Sequence, residues 1–119
     1  MATQFLKLTL ITTHQNSITK AEKFAKFVCQ VLSVAEKYKI SEYDKLENAY
    51  KIDIFNKIET NNPIEKSIEL TDRICSPWLI FYNREENIVE LIFNKSESSS
   101  FKNQRLNVLN WANFTIESQ

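Results

Sequence analysis

Along residues 4–13 apolar and polar side chains alternate, with Leu6, Leu8 and Leu10 on one side and Lys7 and Thr9 on the other. A period of two with Thr and Ile content predicts a strand with one buried face. The period then changes. Ala21, Phe24, Ala25, Val28, Leu32 and Ala35 recur at helical spacing, which predicts an amphipathic helix over 18–38, with Phe27 and Val31 widening its apolar stripe. Thr19 and Glu22 have the spacing of a capping box at its start, and Ser17 is an alternative cap.

Residues 40–48 (ISEYDKLEN) are polar and acidic and read as a loop or a short helical turn. Alternation resumes over 49–59. Tyr50, Ile52, Ile54 and Ile58 oppose Lys51, Asp53 and Lys57, and Phe55 lands on the polar face. Asn62 followed by Pro63, with Glu65 in the first turn, marks a second helix start. Its expected inner face is Ile64, Ile68, Thr71 and Cys75, with Ile74 adjacent, and it must stop before Pro77. PWLIFYN and NIVELIF, split by a polar turn at Arg84–Glu86, predict a hairpin whose left-handed turn residue is Asn83 or Asn87. Residues 102–118 are ambiguous: Leu106, Leu109 and Trp111 fit a helix face, while Phe114 and Ile116 look strand-like.

This order predicts one α+β domain over 1–119. One long and one shorter helix pack on a four- to five-stranded mixed or antiparallel sheet. The SESSS stretch at 96–100 reads as a surface loop rather than a linker. The start, MATQFLKLTL, lacks the pattern of an export signal, and no segment has 18 uninterrupted apolar residues. The expected compartment is therefore the cytoplasm, with Cys29 and Cys75 as free thiols.

Composition narrows the chemistry. The 119 residues contain no glycine, where average usage of about 7% would supply roughly eight. Loops that cradle phosphate, dinucleotide-binding turns, normal EF-hand loops and glycine-flanked serine nucleophiles all need glycine, so these classes are excluded. With 43% apolar residues and 12% aromatics the chain has the material for a core.

Candidate catalytic groups are sparse. His14 is the sole histidine, and a His14–cysteine pair would be the nucleophilic reading. No orienting third residue is indicated, so His14 reads as a loop residue at a strand–helix connection. Cys29 reads as a small core hydrophobe. Cys75 is expected at the C-terminal end of the second helix, where the dipole disfavours a thiolate. No metal-ligand spacing is present and no cofactor is expected. The carboxylate pairs Asp44/Glu47, Glu65/Glu69, Glu69/Asp72 and Glu85/Glu86 lie in polar runs, which read as solvated surface. Trp78, Phe81, Tyr82 and Phe93 resemble a base-stacking sheet face, but Glu85, Glu86 and Glu90 lie beside them, so core packing is the better reading and no direct nucleic-acid contact is expected.

Charge is distributed unevenly, although 15 basic and 15 acidic residues cancel. Residues 1–39 carry six basic and two acidic side chains, a net of +4. Residues 40–90 carry six basic and eleven acidic side chains, a net of −5. The uneven charge reads either as two ordinary solvated faces or as an acidic region that docks a basic protein partner, with Tyr43, Asp44, Glu47, Asp72, Trp78, Glu85 and Glu86 as the candidate binding residues in the second reading.

The strand–helix start FLKLTLITT then TKAEKFAKFVCQVL, the aromatic hairpin PWLIFYNREENIVELIF, the acidic middle, the size and the absence of glycine together give a chain that resembles the small cytoplasmic immunity proteins of bacterial contact-dependent toxin systems. The resemblance implies a non-enzymatic inhibitor that binds one toxin domain, often a basic nuclease. The alternatives are a phage- or mobile-element-encoded regulatory binding module, and a small enzyme using His14 with a cysteine.

Overall fold

The computed structural model describes residues 3–86 and 88–118. The elements are β1 (Thr3–Thr12), α1 (Ile18–Leu32), β2 (Tyr38–Glu42), β3 (Tyr50–Glu59), α2 (Pro63–Asp72), β4 (Cys75–Ser76), β5 (Leu79–Asn83), β6 (Ile88–Asn94), β7 (Ser100–Phe101) and β8 (Leu109–Ser118), with a 3₁₀ turn at Gln104–Val108 before β8. Six strands form one sheet in the order β2-β3-β1-β8-β6-β5, and β4 pairs with β7 in a separate two-stranded ladder. Every pairing is antiparallel. The α+β class is as expected. The main sheet has six strands rather than four or five.

One face of the sheet makes the core. Leu6, Leu8 and Leu10 of β1, Ile52 and Ile54 of β3, Ala112, Phe114 and Ile116 of β8, and Val89, Leu91 and Phe93 of β6 are all buried there. Helix α1 packs over β3 and β2, and α2 over β8 and β6. Phe24, Val28 and Leu32 of α1 are buried, as their spacing predicts. Phe55 stands on the opposite, open face. There cross-strand partners cover the rings, with the Lys7 ammonium 5.8 Å from the Phe55 ring centre and the Lys57 ammonium 5.9 Å from that of Phe5.

Helix α1 is shorter than the expected 18–38. It starts at Ser17, whose hydroxyl accepts from the Lys20 amide at 3.3 Å, and not at Thr19. It ends where Ser33 takes a left-handed conformation with φ 58° and the Val34 amide donates back to the Cys29 carbonyl at 3.0 Å. A left-handed residue closing the last turn is a helix stop normally filled by glycine; this chain uses serine. The Asn56 side chain of β3 then holds Ala35 through both its amide and its carbonyl, each at 3.1 Å, which extends the backbone toward β2.

Helix α2 begins as predicted, with the Asn62 side chain accepting from the Glu65 amide at 3.1 Å. Its inner face keeps Thr71, as expected, but otherwise differs. Ser67, Leu70 and Thr71 are buried and Ile68 is exposed. The two hydroxyls enter the core because each donates to its own helix, Ser67 to the Pro63 carbonyl at 2.6 Å and Thr71 to that of Ser67 at 2.7 Å. The helix stops at Asp72, so Cys75 sits in β4 and not on the helix. Residues 38–42, expected in part as loop, form the edge strand β2. In the hairpin, Asn83 is not left-handed; its side chain accepts from the Glu86 amide at 3.1 Å. Asn87 lies outside the described residues. The ambiguous C-terminal segment is a central strand, β8, between β1 and β6.

Candidate functional site

Beyond the open face of β3, β1, β8 and β6 stands the β2–β3 connection, residues 43–49. The Tyr43 amide donates to the Ala49 carbonyl at 3.0 Å and the Gln15 amide to the Asn48 carbonyl at 2.9 Å, which pins the loop at both ends. Asn48 closes it in the left-handed region, with φ 53°. Thr9, Ile11, Lys51 and Trp111 with Asn94, Lys95 and Asn110 complete a cleft of about 520 Å³ against Tyr43 and Leu46. Ile11 and Trp111 are direct cross-strand partners and supply apolar and aromatic surface in the cleft.

The cations at the cleft are already engaged. Lys51 lies 4.0 Å from Asp53, and the Lys95 ammonium donates to the Asn107 carbonyl and sits 5.7 Å from the Phe101 ring centre. Asp53 itself accepts from the Thr9 hydroxyl at 2.7 Å. The rim is different. Leu46, Asp44 and Glu47 are exposed, and neither carboxylate has an ion-pair partner among the described residues. The result is an apolar and aromatic hollow beside a loop whose exposed Asp44, Lys45 and Glu47 have no ion-pair partners among the described residues.

The structure brings Tyr43, Asp44 and Glu47 together on this loop. It places the other candidates elsewhere. Glu85 and Glu86 occupy the β5–β6 turn, at the opposite edge and the opposite end of the sheet, about 24 Å away by strand spacing alone. Asp72 ends α2 and lies 3.8 Å from Lys102. Trp78 is half-buried, donating to the Cys75 carbonyl at 2.7 Å and packing 5.6 Å from the Phe93 ring, so it reinforces the core. Phe93 is buried, whereas Phe81 and Tyr82 are exposed. Ile11, Leu46 and Trp111 escape sequence reasoning. Ile11 and Trp111 look like ordinary strand residues until their register is known. Leu46 carries a weak signal, as a large apolar residue alone in a polar run.

His14 is exposed in the β1–α1 connection with φ 59°. Both cysteines are buried and free. Burial, with a smaller contribution from the Glu36 carboxylate, pushes the Cys29 thiol up to about 11, and burial alone pushes Cys75 up to about 12. Such thiols stay protonated near neutral pH and are poor nucleophiles. Among the described residues no group of three or more His, Cys, Asp and Glu side chains is placed to hold a metal ion, and no helix is long and apolar enough to cross a membrane. No family model matches the chain, and no curated protein or solved structure is significantly similar to it.

Proposed function

We propose that the protein is a non-enzymatic binding inhibitor of the immunity type, which neutralises a bacterial toxin domain in the cytoplasm by docking through its β2–β3 loop. The observation that carries this reading is the loop's composition and setting. Exposed Leu46 lines the cleft with Tyr43, Ile11 and Trp111, and its loop neighbours Asp44, Lys45 and Glu47 are exposed, a net acidic set. Apolar anchors inside a charged rim are the usual anatomy of a protein-binding hot spot. The unmatched acids favour a basic partner surface, which suits a domain that itself binds nucleic acid. Supporting it further, the resemblance in size, strand–helix start, aromatic hairpin and acidic middle points to the same class.

The test is co-expression with the toxin-type product of the neighbouring gene. The wild-type chain is expected to restore growth, and Leu46→Asp combined with Trp111→Ala to lose that protection while circular dichroism stays native. Protection that survives this double substitution would remove the cleft from the interface. A neighbouring product that neither arrests growth nor binds the chain would remove the inhibitor reading itself.

A further inference from the structure

The two edges of the main sheet are built differently. Strand β2, at one edge, is YKISE, with Lys39 and Glu42 exposed. Short, charged edge strands are how monomeric proteins discourage pairing with other strands. Strand β5, at the other edge, is LIFYN and carries no charge. All five of its residues are exposed, and Leu79, Ile80, Phe81 and Tyr82 are 44–61% accessible. It pairs on one side with β6. Helices α1 and α2 pack chiefly over other strands, so both faces of β5 reach solvent. A charge-free, aromatic-rich edge with high strand propensity is a template for another strand.

We infer that β5 pairs antiparallel with β5 of a second copy, joining two sheets into one continuous twelve-stranded sheet about a two-fold axis at Phe81. The strand is self-complementary in this register, the one that uses all five residues. Phe81 meets Phe81 of the second copy on the open face of the sheet. Ile80 meets the second copy's Tyr82, and Tyr82 its Ile80, on the helix side, because Ile80 and Tyr82 share the register of Leu91 and Val89. Leu79 meets Asn83. Just beyond the strand, Arg84 falls opposite the second copy's Trp78, so no like charges face each other. Glu85 and Glu86 lie past the paired residues, outside the apolar contact.

The contact is modest. Four half-exposed side chains offer on the order of 400 Å² per copy. Doubled, this falls below the roughly 1,200 Å² of the smallest stable interfaces, so the dimer is expected to dissociate reversibly in the micromolar range. An apolar contact also predicts little dependence on salt. The β2–β3 loop lies at the other edge of the sheet and stays free in the dimer.

Sedimentation equilibrium over about 1–200 µM tests this on the intact chain. The apparent mass is expected to rise with concentration from 14.0 kDa toward twice that value. Phe81→Lys, at an exposed position, should weaken association at least tenfold with the melting temperature kept, whereas Ile68→Lys, an equally exposed apolar position on α2, should not. Phe81→Cys should form an intermolecular disulfide under mild oxidation and Leu79→Cys should not, because only Phe81 meets its own copy on the axis. A wild-type chain that stays monomeric throughout overturns the inference, as does a dimer that Phe81→Lys leaves intact or one that cross-links through Leu79→Cys. A monomer whose Phe81→Lys variant loses toxin protection assigns the edge to a strand of the partner instead. Asp44→Lys/Glu47→Lys should dimerise like the wild type, which keeps this test separate from the docking loop.

Discussion

Leu32, fully buried in the last turn of α1, fills the space between helix and sheet. Truncating it leaves a cavity, and Leu32→Ala is expected to cost about 2–5 kcal/mol in urea unfolding. The opposite expectation holds for Ile18, exposed at the start of the same helix, where truncation should change stability by less than about 0.5 kcal/mol. The thiols give a pH signature. Both have folded-state values raised from 9.0, to about 11 and about 12. Above pH 9 the unfolded chain therefore releases protons that the folded chain retains, and stability falls as pH rises from 9 toward 12. Unfolding measured at pH 8 and pH 10.5 should show this loss, and Cys29→Ala/Cys75→Ala should make it smaller. A variant with the same loss as the wild type would mean that the thiols are not shielded. The burial of Leu32 was readable from helical spacing and that of Cys29 from residue type, whereas Cys75, expected on a helix face, is buried in β4. The rotation of α2, which exposes Ile68 and buries Ser67 and Leu70 beside the expected Thr71, was not, because it depends on hydroxyls bonding their own helix carbonyls.

Elements whose pattern repeats undisturbed were legible: β1, β3, the start of α2 and the hairpin appear where alternation and caps predict them. The failures have local causes. Helix α1 stops at Leu32 because Ser33 adopts a left-handed turn and Asn56, distant in sequence, captures Ala35. Asn56→Ala should thus destabilise the protein by roughly 0.5–1.5 kcal/mol, since it removes two solvent-accessible hydrogen bonds to Ala35. Thermal unfolding would check this, and an unchanged midpoint would mean that water replaces the clamp. Strand β8 was obscured by an irregularity. The register of β1 against β8 shifts between Ile11 and Thr12, so Leu109 is buried one step out of phase with Ala112, Phe114 and Ile116. That shift makes Leu106 and Leu109 mimic a helix face. A central strand cannot be removed without exposing both neighbours. A chain ending at Val108 is expected to lose its cooperative unfolding transition by circular dichroism.

At the scale of the molecule, the charge asymmetry of the sequence was visible but its geometry was not. An acidic stretch from 40 to 90 suggests one acidic surface. The antiparallel order instead sends the β2–β3 loop and the β5–β6 turn to diagonal corners of the sheet, and Asp72 pairs with Lys102. Which acids act together depends on strand order, and strand order is set by contacts distant in sequence. Docking through the β2–β3 loop therefore involves Asp44 and Glu47, beside Tyr43 and Leu46, and not Glu85 and Glu86. Stopped-flow association with the toxin-type product of the neighbouring gene, at low and at physiological salt, tests this most directly. Asp44→Lys/Glu47→Lys should slow association about tenfold or more at low salt, with the difference shrinking as screening shortens to about 8 Å. Glu85→Lys/Glu86→Lys should change it less than threefold. The opposite ranking, with the turn reversals slowing association and the loop reversals leaving it intact, would contradict docking through the β2–β3 loop.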